Sequence, residues 1–251
     1  MSVAQGRGRL LVFSDPDSVA RAAAEDFVRR AAEAVAERGR FMVALSGGRT
    51  PRRLYALLAN EPYRKAVPWD RTHLFWGDER HVPPDDPQSN YRMVREALLS
   101  RIVIPEANVH RVLAELPDAA EAAGRYEIEL RESFGTPFGQ TPRFDLVYLG
   151  LGPEGHTASL FPGTTALKIR DRLVVATWVD KLETFRITMT YPLFAQARAV
   201  VFLVEGGEKA DILSLVRNPE TASEYPAGQV EPRDGELLWF ADRAAAGQGS
   251  A

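Results

Sequence analysis

Apolar residues along this chain fall into two alternating spacings. Short continuous runs at Arg9–Phe13, Phe41–Leu45, Thr72–Trp76 and Phe144–Leu151 have the length and composition of buried strands. Amphipathic stretches lie between them. Val19, Ala23, Phe27, Ala31 and Val35 recur at every fourth position and predict one apolar helix face. Asp15-Pro16 opens that helix with an N-cap and an N1 residue, and Gly39 stops it after about Arg38. Further helices are predicted over Pro51–Ala59, from Ser89 or Asn90 through Leu99, over Asp118–Phe134 and over Glu208–Val216. Leu173–Ala176, Phe185–Thr190, Ala199–Val204 and Leu237–Phe240 read as strands.

The segment from Gly77 to Gln88 reads as a polar loop, and 101–117 as an irregular connection carrying Pro105 and Pro117. Gly135–Pro142 is predicted to be a surface loop. The small and polar Ala244–Ala251 tail is expected to be frayed and flexible. No repeat or low-complexity block is visible. Strands alternating with helices imply an α/β fold, a mostly parallel twisted sheet flanked by helices. The length of 251 residues suits one domain, 1–251, with an ordered core over 9–243.

Composition narrows the function classes. The hydrophobic fraction of 45% and charged fraction of 26% belong to an ordinary globular protein. A net charge of -3 argues against a basic face for nucleic acid. The absence of cysteine excludes disulfides and thiolate sites. No apolar run approaches the roughly 20 residues of a membrane span, and MSVAQGRGRLLVF is too short in apolar character for a secretory signal. The expectation is a cytoplasmic protein without membrane or nucleic-acid partners. The four histidines show no metal-ligand spacing, so no metal is expected. A G-x-S-x-G elbow is absent.

Candidate chemistry sits in four loops, three of them rich in glycine and each following a predicted strand. Ser46-Gly47-Gly48-Arg49-Thr50 leads into a helix, with Thr50 as the expected N-cap and Pro51 as N1. Its glycines let backbone N–H groups approach an anion at the helix N-terminus. An ordinary tight turn would read the same way. Gly77-Asp78-Glu79-Arg80-His81 offers two acids and two bases, and Arg80 could hold a carboxylate or phosphate bidentately. A surface salt-bridge cluster is the alternative. Gly150-Leu151-Gly152-Pro153-Glu154-Gly155-His156 matches G-x-G-x-x-G literally. Pro162-Gly163 follows too soon for the long helix of a dinucleotide fingerprint. The loop instead presents one histidine beside one acid at a strand end. Glu205-Gly206-Gly207-Glu208-Lys209 puts Lys209 in a helix's first turn, where the helix dipole disfavours a cation unless an anion binds nearby. Arg186, inside the apolar strand FRITMT, likewise needs a partner or solvent.

Together ALSGGRTP, FWGDERHVPPDDPQSNYRM, FDLVYLGLGPEGHTASLFPG, RITMTYP and LVEGGEKADIL resemble the 6-phosphogluconolactonase family over nearly the whole chain, in order and spacing. That family shares its fold with glucosamine-6-phosphate deaminase and ribose-5-phosphate isomerase. The resemblance implies hydrolysis of 6-phospho-D-glucono-1,5-lactone to 6-phosphogluconate in the oxidative pentose phosphate pathway, without metal or organic cofactor. It implies a phosphosugar lactone as the small-molecule partner and a monomer or small homo-oligomer.

The expected phosphate site is Ser46, Gly47, Gly48, Arg49 and Thr50, clamped by Arg186 and Lys209, with Gly155 among the substrate contacts. His156 is the expected base, Glu154 its orienting acid, Arg80 a donor to the oxyanion, and Asp78 a partner of sugar hydroxyls or protons. Glu154 is expected to move the histidine pKa upward from about 6.5. Three positions depart from the family pattern: Arg49 replaces a small hydroxyl residue, Glu154 replaces aspartate, and Lys181–Thr184 replaces a proline-rich stretch. A glucosamine-6-phosphate deaminase would share the fold and the histidine loop, and a non-catalytic sugar-phosphate sensor is the alternative outside enzymes. The ASLFPG and GDERHVPP segments favour the lactonase, and with the first strand near residue 9 no DNA-binding domain is expected.

Overall fold

The computed structural model describes residues 6–248. Its first elements are β1 (Arg9–Phe13), α1 (Pro16–Arg38), β2 (Phe41–Leu45), α2 (Arg49–Leu58), α3 (Tyr63–Ala66), β3 (Thr72–Trp76), β4 (Asp78–Arg80), α4 (Asn90–Ala97) and β5 (Val109–His110). Then come α5 (Ala119–Phe134), β6 (Leu146–Gly150), β7 (Val174–Val179), β8 (Thr184–Met189), α6 (Tyr191–Gln196), β9 (Ala199–Val204), α7 (Ala210–Arg217) and β10 (Glu236–Asp242).

A seven-stranded sheet runs in the order β1-β10-β9-β6-β2-β3-β5, and its strand pairs are parallel. Its central strands are apolar because helices cover them: every residue of β2 and of β9 is buried. From β2 the chain builds outward through β3 and β5, and from β6 it builds the other way through β9 and β10. The strand order therefore reverses between β2 and β6, the crevice where open α/β sheets take their ligands.

Local signals set the helix ends. Asp15 accepts a hydrogen bond from the Ser18 N–H at 2.7 Å, and Gly39 closes α1 in the left-handed region with φ of 76°. Ser89 caps α4 through the Arg92 N–H, and Asp118 caps α5 through the Ala120 N–H. The α2 start differs from expectation. Gly48 is the N-cap, so Thr50 and Pro51 lie inside the first turn, and no side chain caps this helix.

A second, three-stranded antiparallel sheet in the order β4-β8-β7 was not legible in sequence. Its β4 is Asp-Glu-Arg, read as polar loop, and it becomes a strand only by pairing with β8. The short β5 likewise arises inside a stretch expected to be irregular, by pairing with β3. The chain after β10 is not frayed through Gln248. Ala245 is fully buried and its N–H donates to Asp242 Oδ1 at 2.7 Å; residues 249–251 of the expected tail lie outside the described residues. Among the described residues no helix is long and apolar enough to cross a membrane.

Candidate active site

The adjacent strands β2, β6 and β9 end side by side, so the loops 46–50, 150–156 and 205–209 converge at the reversal of strand order. Two tyrosines hold strand ends rigidly. The Tyr55 hydroxyl accepts from the Ser46 N–H at 3.0 Å and donates to the Ser46 carbonyl at 2.9 Å. Tyr126 does the same for Trp76, at 2.8 and 3.1 Å. Burial raises both phenol pKa values far above the ordinary range, so both hydroxyls stay protonated and able to donate.

A cavity of about 300 Å³ opens between these loops. Ser46, Gly47, Gly48, Arg49 and Thr50 line it together with Lys209, Asp78, Arg80 and His156. The uncapped start of α2 thus points its amides and positive dipole end into the cavity beside a lysine. Gly47 is required for packing, since a β-carbon there would fall on the Asn90 amide. Arg49 lines the rim but is 87% exposed, 3.9 Å from Glu208 Oε1.

His156 sits where the third loop folds back: the Gly152 N–H donates to the His156 carbonyl at 2.9 Å. Its ring stacks on Phe161 with centroids 4.0 Å apart. On another side it occupies the space of the missing Gly152 side chain. Nδ1 stands 3.1 Å from Glu154 Oε2, within ion-pair distance though not aligned as a hydrogen bond. Glu154 acts on the imidazole with the expected sign, but the net pKa shift is downward. Burial lowers the imidazole pKa below 6.5; Glu154 and then Asp78 push it up, but not enough to offset burial. The imidazole is therefore neutral at neutral pH. For Glu154, burial acts upward, but its own backbone N–H, Lys181 and His156 bring the carboxyl below its usual range.

Asp78 is fixed by residues the sequence did not single out for this role. Ser159 Oγ donates to Asp78 Oδ2 at 2.7 Å, and Asn90 Nδ2 donates to the Asp78 carbonyl at 3.0 Å. Next to it Glu79 is buried and accepts from the N–H groups of Asn90 and Tyr91, both at 2.7 Å. It caps α4 from outside the helix, although burial still raises its pKa. Lys181 Nζ is 3.1 Å from Glu154 Oε1. Its place in a stretch that departs from the family pattern was the only sequence signal for this contact.

Two expected substrate contacts lie elsewhere. Gly155 is behind the cavity wall, donating to the Gly152 carbonyl at 3.0 Å and accepting from the Ala227 N–H at 2.8 Å. Arg186 is not among the residues lining this cavity. It belongs to β8 in the second sheet and lines an adjoining cavity of about 320 Å³, which shares Asp78, Arg80 and His156 with the first. Among the described residues no cluster of three His, Asp or Glu side chains is arranged to hold a metal.

The model of the family described as glucosamine-6-phosphate isomerases/6-phosphogluconolactonase matches residues 14–239. The chain belongs to this family. A 6-phosphogluconolactonase of Synechocystis sp. is 48% identical over 217 residues, 86% of this chain and 88% of the relative. A solved 6-phosphogluconolactonase from Trypanosoma cruzi superposes with a TM-score of 0.85 at 30% identity, covering 100% of each chain. A monomeric glucosamine-6-phosphate deaminase superposes with a TM-score of 0.77 at 18% identity, covering 96% of this chain and 100% of its own, and shares the fold alone. The family membership and the mostly parallel sheet both agree with the sequence expectation.

Proposed function

We propose that this chain hydrolyses 6-phospho-D-glucono-1,5-lactone to 6-phospho-D-gluconate. The observation that carries the reading is the meeting in one cavity of the uncapped α2 N-terminus, Lys209, Asp78 and the neutral imidazole of His156. A family member that carries the lactonase name at 48% identity supports it.

The phosphate binds the Ser46–Thr50 amides with Lys209, which brings the lactone end toward His156. Neutral His156 takes a proton from water as the water oxygen bonds to C1. The C1 carbonyl becomes an oxyanion, held by backbone N–H groups and Arg80. The bond from C1 to the ring oxygen then breaks, and the imidazolium returns its proton to that oxygen. Glu154 stabilises the imidazolium between these steps, and Asp78, held by Ser159 and Asn90, accepts from sugar hydroxyls. The chemistry asks for no metal or organic cofactor. A cytoplasmic enzyme of the oxidative pentose phosphate pathway, acting as a monomer or small homo-oligomer, completes the reading.

The test offers the protein freshly generated 6-phosphogluconolactone and, separately, glucosamine 6-phosphate. Turnover of the lactone above its spontaneous hydrolysis, with none of the amino sugar, is expected. Release of ammonia from glucosamine 6-phosphate would assign the deaminase activity instead, and binding without turnover of either would make the chain a sensor.

A further inference from the structure

Among the described residues, Arg186 is a buried cation without a partner. Only 8% of its surface is exposed, and Nη1 is fully buried with no hydrogen bond. It lies directly opposite Arg80 in the antiparallel β4–β8 pairing. Like charges facing each other across a ladder are destabilising, and an unpaired buried charge more so. Arg80 is anchored, since its Nη1 donates to the Gln88 carbonyl at 2.6 Å. Burial, and after it Arg80, lower the Arg186 pKa, against the pull of Asp78 and Glu79. The arrangement is what an anion between the two guanidinium groups would stabilise.

The lactonase reading, on which this inference rests, supplies such an anion. Its substrate carries one charged end, the C6 phosphate, whereas its product also carries a carboxylate at C1. The phosphate suits the amides of α2 and Lys209. Lys209 and Arg186 line different cavities, and the two cavities meet at Asp78, Arg80 and His156. That junction gives a six-carbon chain with its phosphate at the glycine loop a path toward Arg186. We propose that Arg186, together with Arg80, is the subsite for the C1 oxygen, holding it as an oxyanion during attack and as a carboxylate in the product. A guanidinium matches the planar carboxylate bidentately. It also binds the C1 oxygen more strongly as that oxygen gains charge, which is the requirement for accelerating the reaction.

Calorimetric titration separates the two ends of the ligand. 6-Phosphogluconate and glucitol 6-phosphate share the chain and the phosphate and differ by the C1 carboxylate. The unsubstituted protein should bind 6-phosphogluconate roughly tenfold to hundredfold more tightly, the contribution of a charged contact. Arg186→Gln should remove most of that difference and leave glucitol 6-phosphate affinity nearly unchanged, with Arg186→Lys intermediate. Equal affinities in the unsubstituted protein would overturn the subsite without any variant. Equal losses of both ligands in Arg186→Gln, with an unchanged melting temperature, would also overturn it and assign Arg186 to the phosphate, while lactone hydrolysis stood. Failure of the unsubstituted protein to bind either phosphate would remove the lactonase reading and the subsite with it.

Discussion

Lys181 Nζ and His156 Nδ1 share one carboxylate, each 3.1 Å from a different oxygen of Glu154. The lysine is on the turn between β7 and β8, and the histidine on the loop after β6. The carboxylate therefore couples an exposed cation to a half-buried imidazole. A general base works in its neutral form, so kcat/KM should fall as pH drops through the His156 pKa, and burial has set that limb below about 6.5. Glu154 acts upward on this pKa. Glu154→Gln should move the limb to still lower pH. Lys181→Met frees the carboxylate to act on the imidazole alone and should move the limb to higher pH. Profiles of kcat/KM against pH for both variants check the opposite signs. Shifts in the same direction would break the proposed coupling.

Gly152→Ala should displace the catalytic ring. A β-carbon at 152 falls on the His156 imidazole, which Phe161 holds from another side. Misplacement by about an ångström can cost roughly 10²-fold in turnover. The expected result is a kcat loss of that order, with 6-phosphogluconate affinity nearly unchanged, because the glycine loop and Lys209 are untouched. Steady-state kinetics with product inhibition read both quantities.

Much of this arrangement was legible in the chain, and the exceptions have physical causes. The central parallel strands announced themselves as apolar runs because both of their faces are buried. The caps at Asp15, Ser89 and Asp118 were local signals and appeared where local rules put them. The polar triplet of β4 carried no strand signal, since its pairing with β8 joins residues more than a hundred positions apart. Without that pairing, the place of Arg186 opposite Arg80 in the second sheet is not legible in the chain. Glu154 was expected to raise the His156 pKa, and it does push that way. The larger effect of burial depends on Phe161 and the folded loop, which spacing does not reveal.

Tyr55→Phe should destabilise the fold and loosen the glycine loop together. The variant leaves the buried Ser46 N–H and carbonyl without their partner. An unsatisfied buried polar group costs about 1–3 kcal/mol. A lower urea midpoint at unchanged slope is expected, with a raised KM. An unchanged midpoint would mean that water replaces the hydroxyl.

Arg49→Ser should have little effect, despite restoring the small hydroxyl residue usual at that position. Arg49 is 87% exposed and only 3.9 Å from the similarly exposed Glu208. Exposed pairs are worth about 0–1 kcal/mol, so KM should change by less than roughly fivefold. A larger rise would mean that Arg49 turns inward onto the phosphate.

The central claim is proton transfer by His156 in lactone hydrolysis. It is tested most directly by the turnover of His156→Asn on freshly generated 6-phosphogluconolactone at neutral pH, corrected for spontaneous hydrolysis. Loss of a general base should lower kcat by about 10²–10⁴-fold, with melting temperature and 6-phosphogluconate affinity nearly unchanged. Turnover close to that of the unsubstituted enzyme would contradict the account and pass the role of base to Asp78 or Glu154.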